Sequence, residues 1–125
     1  MKFATPDDLP ATHGYSHVVT VPAGTQVWVA GQVGNGADGV APEGIEAQAR
    51  LAFENVGRAL AAAGASWNDV FKMNVYVTDI AFVPTVRAVR DEFVNHDARP
   101  VSTLVAVTAL VRPELLIEIE VGAAI

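Results

Sequence analysis

Cysteine is absent from the 125-residue chain, which excludes disulfides, thiolate nucleophiles and cysteine-ligated metals. Basic residues are scarce, with 8 Lys and Arg against 14 Asp and Glu and a net charge of −6. Nucleic-acid affinity comes mostly from lysine and arginine displacing counterions, so no nucleic-acid partner is expected. Long apolar runs are missing too. None approaches the roughly 18 residues that a membrane-spanning helix needs, and residues 1–8 lack the apolar core of a signal peptide. These absences point to a soluble, cytoplasmic protein without a membrane partner. The histidines, His13, His17 and His96, have no metal-ligand spacing, so no metal is expected. No Ser/His/Asp set or phosphate loop can be assembled.

What is present is ample apolar material. Hydrophobic residues make up 51% of the chain, enough for the core of one domain over residues 1–125. Residues 1–14 read as an irregular lead-in ending at Gly14. A strand is predicted over 15–21, a hairpin turn at 22–25 and a second strand over 26–32. Gly31, inside that second strand, predicts either a bulge or a close approach of another group. Residues 33–42 form a loop. Ile45, Ala49, Ala52, Val56, Ala59, Leu60 and Ala63 recur at spacings of three and four, predicting an amphipathic helix over 43–63 stopped by Gly64. A third strand follows over 70–78. Asp79 leads into a second helix with Pro84 in its first turn and Val86, Val89 and Phe93 buried, ending near residues 95–96 before Pro100. Strands over 100–107 and 115–121 close the order ββαβαββ. The fold class is α+β, with two helices on one face of a five-stranded mixed sheet.

Along the last strand, side chains alternate sides with a period of two. Glu118 and Glu120 therefore share one face, while Ile117, Ile119 and Val121 share the other. Several strands are apolar on both faces, as where Leu104 and Ala106 oppose Val105 and Val107. A second copy of the chain would cover the free face, and ligand clefts would fall between subunits. Two readings of Glu118 stay open: a cleft carboxylate, or the partner of a neighbouring subunit's cation. Trp28 and Trp67 are core or interface aromatics.

Several motifs, taken in order, resemble the RidA/YjgF family, also known as the L-PSP endoribonuclease family. They are Gly14-Tyr15-Ser16-His17, Val29-Ala30-Gly31-Gln32, Gln48-Ala49-Arg50 through Asn55-Val56, Val75-Tyr76-Val77-Thr78-Asp79, Arg99-Pro100-Val101-Ser102-Thr103-Leu104-Val105 and Ile117-Glu118-Ile119-Glu120. The resemblance implies a chorismate-mutase-like subunit and a homotrimer, its sheets lining a central barrel and small-molecule ligands held in three intersubunit clefts. It also implies hydrolytic deamination of reactive enamines or imines, such as 2-aminoacrylate, to a 2-oxo acid and ammonia without a cofactor.

Carried across by motif, Glu118 is the catalytic carboxylate that handles water. Tyr15, Gly31 and Gln32 line the substrate site. The family's substrate-gripping arginine falls at Ser102, or at Thr103 if the alignment is taken from Glu118, and neither is a cation. Ala81 likewise replaces a loop asparagine. Arg99 and Arg112 are the candidates to stand in for the missing cation. A serine hydroxyl does not replace a fixed positive charge, so the implied substrate differs from 2-aminoacrylate. The alternatives are a non-catalytic trimeric module that binds a small metabolite or serves regulation and, disfavoured by the acidic charge, an endoribonuclease.

Overall fold

The computed structural model describes residues 1–125. Its main sheet has four strands: β3 (Gln26–Val33), β4 (Val70–Val77), β5 (Val101–Ala106) and β6 (Ile117–Ala124), laid side by side in the order β3-β6-β4-β5. β6 runs antiparallel to both neighbours, and β5 is parallel to β4. The fold is α+β, with helices α1 (Ile45–Ala62) and α2 (Val83–Arg90) on one face of this mixed sheet.

The N-terminal segment departs from the expected hairpin. Its strand is only β2 (Val18–Thr20), and β2 pairs with β1 (Lys2–Ala4) in a separate two-stranded ribbon. Thr25 exchanges both backbone hydrogen bonds with Ile125, at 3.0 and 2.9 Å, so the chain enters β3 already paired to the end of β6. Just upstream, Ser16 bridges Val101 in parallel and donates its hydroxyl to the Arg99 carbonyl at 2.7 Å. The segment around Tyr15 thus lies along β5, at the opposite edge from β3.

Helix α1 forms where the stripe predicts it. Ala49, Ala52, Val56 and Leu60 are fully buried, whereas Ala63 is exposed. Beyond Ala62 the chain turns through Gly64 at φ 75°. The Ala65 amide reaches the Leu60 carbonyl at 2.9 Å and the Gly64 amide reaches Ala61 at 3.0 Å, a Schellman stop that glycine adopts without a Cβ penalty. Two buried residues lie outside the predicted stripe. Phe53 packs between Trp67 and Phe93, with ring centroids 5.6 and 5.3 Å away. Gln48, 2% exposed, donates its amide to the carbonyls of Pro42 (3.0 Å) and Glu114 (2.8 Å) and accepts from the Leu116 amide at 2.8 Å. One side chain therefore ties the loop before α1 to the entrance of β6.

Helix α2 is shorter than predicted. Asp79 accepts from the Ala81 amide at 2.9 Å and opens a 3-10 turn over Ile80–Phe82. α2 then ends at Arg90, and the following residues return in turns hydrogen-bonded to the Arg90 carbonyl. Val86 and Val89 are buried as expected, and Phe93 packs against the core from just beyond the helix.

The face away from the helices is mixed rather than uniformly apolar. It carries Lys72, Asn74 and Tyr76 of β4 beside Glu118 and Glu120 of β6. Trp28, 63% exposed, and Val105, 40% exposed, flank this polar stripe. A register shift at Phe71 lets its ring meet Trp28 edge-on, with centroids 5.7 Å apart.

Replacing Gln48 by leucine keeps the volume but strips partners from two carbonyls and one amide. At about 1–3 kcal/mol for each buried group left unsatisfied, Gln48→Leu is expected to lower unfolding free energy by about 3 kcal/mol or more. Urea denaturation checks this; a loss below about 1 kcal/mol would deny Gln48 that role.

Candidate functional site

The two glutamates of β6 sit in contrasting surroundings. Glu120 accepts hydrogen bonds from Asn74 Nδ2 at 2.9 Å and the Tyr76 hydroxyl at 2.7 Å. These bonds, with the nearby Lys72 charge, outweigh burial and hold its carboxyl below the ordinary carboxylate range. The same bond to Glu120, with burial and the negative charge beside it, pushes the Tyr76 phenol up. Glu118, half-buried, makes no hydrogen bond or ion pair within the chain.

Gly31 lies against that free carboxylate. The β3–β6 register shifts between Val29 and Gln32, so Ala30 and Gly31 together oppose a single residue of β6. Both consequences predicted from the glycine occur together here: a bulge, and a close approach. A Cβ at position 31 would collide with the Glu118 carboxylate and come within 2.8 Å of its Cδ. Gln32 turns back on its own strand and donates to the Ala30 carbonyl at 3.0 Å.

The other expected site residues lie elsewhere. Ser102 is in register with the buried Met73, and Thr103 with the outward-facing Asn74, so the two point to opposite faces of β5. Tyr15 and Ser102 line a cavity of about 220 Å³ on the helix side, bordered by the exposed Arg87 and the buried Arg90 of α2 over a floor that includes Phe53 and Val86. Thr103 borders an outer groove of about 440 Å³ with Lys72, Asn74 and the chain from Tyr15 to Val19, and Ser102 reaches this groove as well. With β4 between β6 and β5, one chain holds the expected residues as two separated halves: Glu118, Gly31 and Gln32 in one, Tyr15 and Ser102 in the other.

Neither stand-in cation is free. Arg99 binds Asp91 at 3.1 Å and reaches the Gly14 carbonyl at 3.4 Å, and Arg112 binds Glu114 at 3.3 Å in the loop before β6. Arg90, 9% exposed, also binds Asp91 at 3.0 Å and donates to the His13 carbonyl at 3.2 Å. Burial pushes the Asp91 carboxyl up, but the hydrogen bonds and charges of Arg90 and Arg99 overcome it and hold it low. Ala81 brings no polar side chain, only a backbone amide already used by Asp79. The residues that the sequence reading missed are Asn74, Tyr76, Arg87 and Arg90. Only the outward alternation of Asn74 and Tyr76 on β4 could have signalled any of them.

A carboxylate held low in the fold stabilises it above the ordinary carboxylate pKa, and that contribution is lost as pH falls through the depressed value. Glu120→Gln removes one such group while leaving Asp91. The variant should be less stable than the parent near pH 7 and should lose less stability between about pH 6 and about pH 3. Equal acid sensitivity in chemical denaturation at the two pH values would contradict the assignment.

Comparison with known proteins agrees with this architecture. Residues 5–125 match the family model described as Endoribonuclease L-PSP. The 2-iminobutanoate/2-iminopropanoate deaminase of Salmonella typhimurium is 34% identical over 122 residues, covering 95% of this chain and 94% of that protein. Among solved structures, YyfB from Yersinia pestis, a protein of unknown function of the conserved Rid family, superposes with a TM-score of 0.89 at 30% identity, over 99% of this chain and 98% of that one. Escherichia coli TdcF, solved with bound serine, gives a TM-score of 0.73 at 32% identity over 100% of this chain and 99% of its own. With a family match across nearly its whole length, the chain belongs to the RidA/YjgF family, the family of the endoribonuclease L-PSP description.

Proposed function

We propose that this chain is a cofactor-independent hydrolytic deaminase of a reactive enamine or imine, or a related small carbonyl metabolite, acting in clefts between the subunits of a homotrimer. The observation that carries the reading is Glu118. It is a carboxylate without a partner in its own chain, beside a glycine whose missing side chain leaves it room. The name of the Salmonella relative supports the reaction class.

In this reading Glu118 takes a proton from water as the oxygen adds to the C=N carbon. It returns that proton to nitrogen to give a carbinolamine, then moves the carbinolamine's hydroxyl proton to the same nitrogen as the C–N bond breaks, the C=O bond forms and ammonia leaves. An enamine would first take a proton on carbon to become the imine. Because Ser102 stands where the family deaminases carry their arginine, the substrate is one other than 2-aminoacrylate.

The trimer brings the halves together. Glu118 and Gly31 of one copy would face Tyr15 and Ser102 of the next, and Trp28 would pack into the shared interface. That same serine favours a second reading, a trimeric module that binds a small metabolite without turning it over. The net charge of −6 weighs against ribonuclease activity.

Glu118→Gln should slow release of ammonia from freshly generated 2-iminobutanoate about 10²–10⁴-fold, the usual contribution of a general acid–base group, with an unchanged melting temperature. Wild-type protein that does not accelerate hydrolysis across a panel of fresh imines would sink the deaminase reading and leave the binding module. Trp28→Asp should convert trimer to monomer by light scattering, and a variant that keeps the parental mass would remove Trp28 from the interface.

A further inference from the structure

The cavity shared by Tyr15 and Ser102 contains a cation that no motif brought forward. The chain has six arginines, Arg50, Arg58, Arg87, Arg90, Arg99 and Arg112, and five of them are ion-paired. Arg50 holds Glu92 at 2.9 Å, Arg58 holds Glu54 at 3.6 Å, Arg90 and Arg99 share Asp91, and Arg112 holds Glu114. Arg87 alone has no carboxylate partner. It projects from the last turn of α2 and lines the same cavity of about 220 Å³.

The other polar groups around it are equally unengaged. Tyr15 and Ser102 also line this cavity, and neither hydroxyl makes a hydrogen bond within the chain. The floor beneath them, including Phe53, Met73 and Leu104, is apolar. A planar guanidinium offers paired N–H donors matched to a carboxylate, two hydroxyls can complete its oxygens, and the floor suits a short hydrocarbon chain. The volume lies below the range usual for drug-sized ligands, which limits the occupant to a small molecule.

We infer that Arg87 of α2, with Tyr15 and Ser102, binds the carboxylate of a small aliphatic acid in the cavity between α2 and β5. The cation absent from β5 is thereby supplied from the facing helix, and Ser102 becomes a hydrogen-bond donor to the ligand. Because the charge reaches the cavity from a different element, the acid is held differently from one gripped by an arginine at position 102. This assignment rests on the hydrolase reading for turnover but not for binding.

The test titrates the intact wild-type oligomer, followed by calorimetry and by shifts of the Tyr15 and Ser102 amide resonances, with 2-oxobutanoate and with its uncharged methyl ester. Arg87→Met keeps the aliphatic stem without the charge, Arg87→Lys keeps charge without the fork, and Arg58→Met removes the same net charge on the exposed side of α1. Loss of a charge-assisted hydrogen bond should weaken acid binding at least about tenfold in Arg87→Met. Arg87→Lys should fall between, Arg58→Met should match the parent, and the ester should bind parent and Arg87→Met alike. Acid binding unchanged by Arg87→Met, equal binding of acid and ester by the parent, or no acid binding at all would overturn the inference. In imine hydrolysis, Arg87→Met should raise KM and spare kcat. Arg87-dependent acid binding without turnover defeats the hydrolase reading alone, and turnover with a KM indifferent to Arg87 defeats this assignment alone.

Discussion

The pleat of β6 is the constraint on which the rest depends. This strand is hydrogen-bonded on both sides, to β3 and β4, and its alternation sorts Ile117, Ile119, Val121 and Ala123 into the core, each 3% exposed or less. The same alternation sends Glu118 and Glu120 outward. A slip of one residue would put two carboxylates among the helices and four apolar side chains in water, so the register is strongly specified. Gly31 and Gly122 answer to the same strand. One leaves room for the Glu118 carboxylate, and the other lies where a Cβ would come within 2.9 Å of the Phe71 ring and 3.0 Å of the Trp28 ring.

Electrostatics then divides the charged groups by role. Glu120 is held as a carboxylate on the outer face by hydrogen bonds from Asn74 and Tyr76, with the Lys72 charge nearby. Glu118, one pleat away, has no such partners. A similar division holds among the cations. Asp91 gathers Arg90 and Arg99 and pins the Gly14 region to α2. That cluster shapes the wall of the α2–β5 cavity while occupying both arginines, and Arg87 stays open at its edge. The proposed chemistry uses a carboxylate on β6 and a guanidinium on α2, neither of which has an ion-pair partner within the chain.

The long periodic elements were legible in the sequence, because α1 and β6 each repeat a pattern over many residues. Gly31 announced the bulge for a local reason, the lack of a side chain within a strand. The β1–β2 ribbon was not legible: three-residue strands have too little period, and the pairing joins Lys2–Ala4 to Val18–Thr20 across an irregular stretch rather than a tight turn. Gln48 was passed over because a polar residue breaks an apolar stripe, although its buried amide organises two loops. The Tyr76–Glu120 bond joins residues 44 apart, which no local pattern encodes. Arg87 could be picked out only after every other arginine had been paired in space. Motif order singled out Glu118, Tyr15 and Ser102 but not their separation, with Glu118 on the interior strand β6 and Ser102 on the edge strand β5.

That division makes the central claim testable by mixing copies. Glu118→Gln chains and Ser102→Trp chains, the latter with the α2–β5 cavity plugged, should each be inactive alone. After the two are unfolded together and refolded into mixed oligomers, some interfaces pair an intact Glu118 with an intact cavity. Imine hydrolysis is expected to return in the mixture. If the mixed oligomers form and remain as inactive as either parent, the site is not shared between subunits in this way.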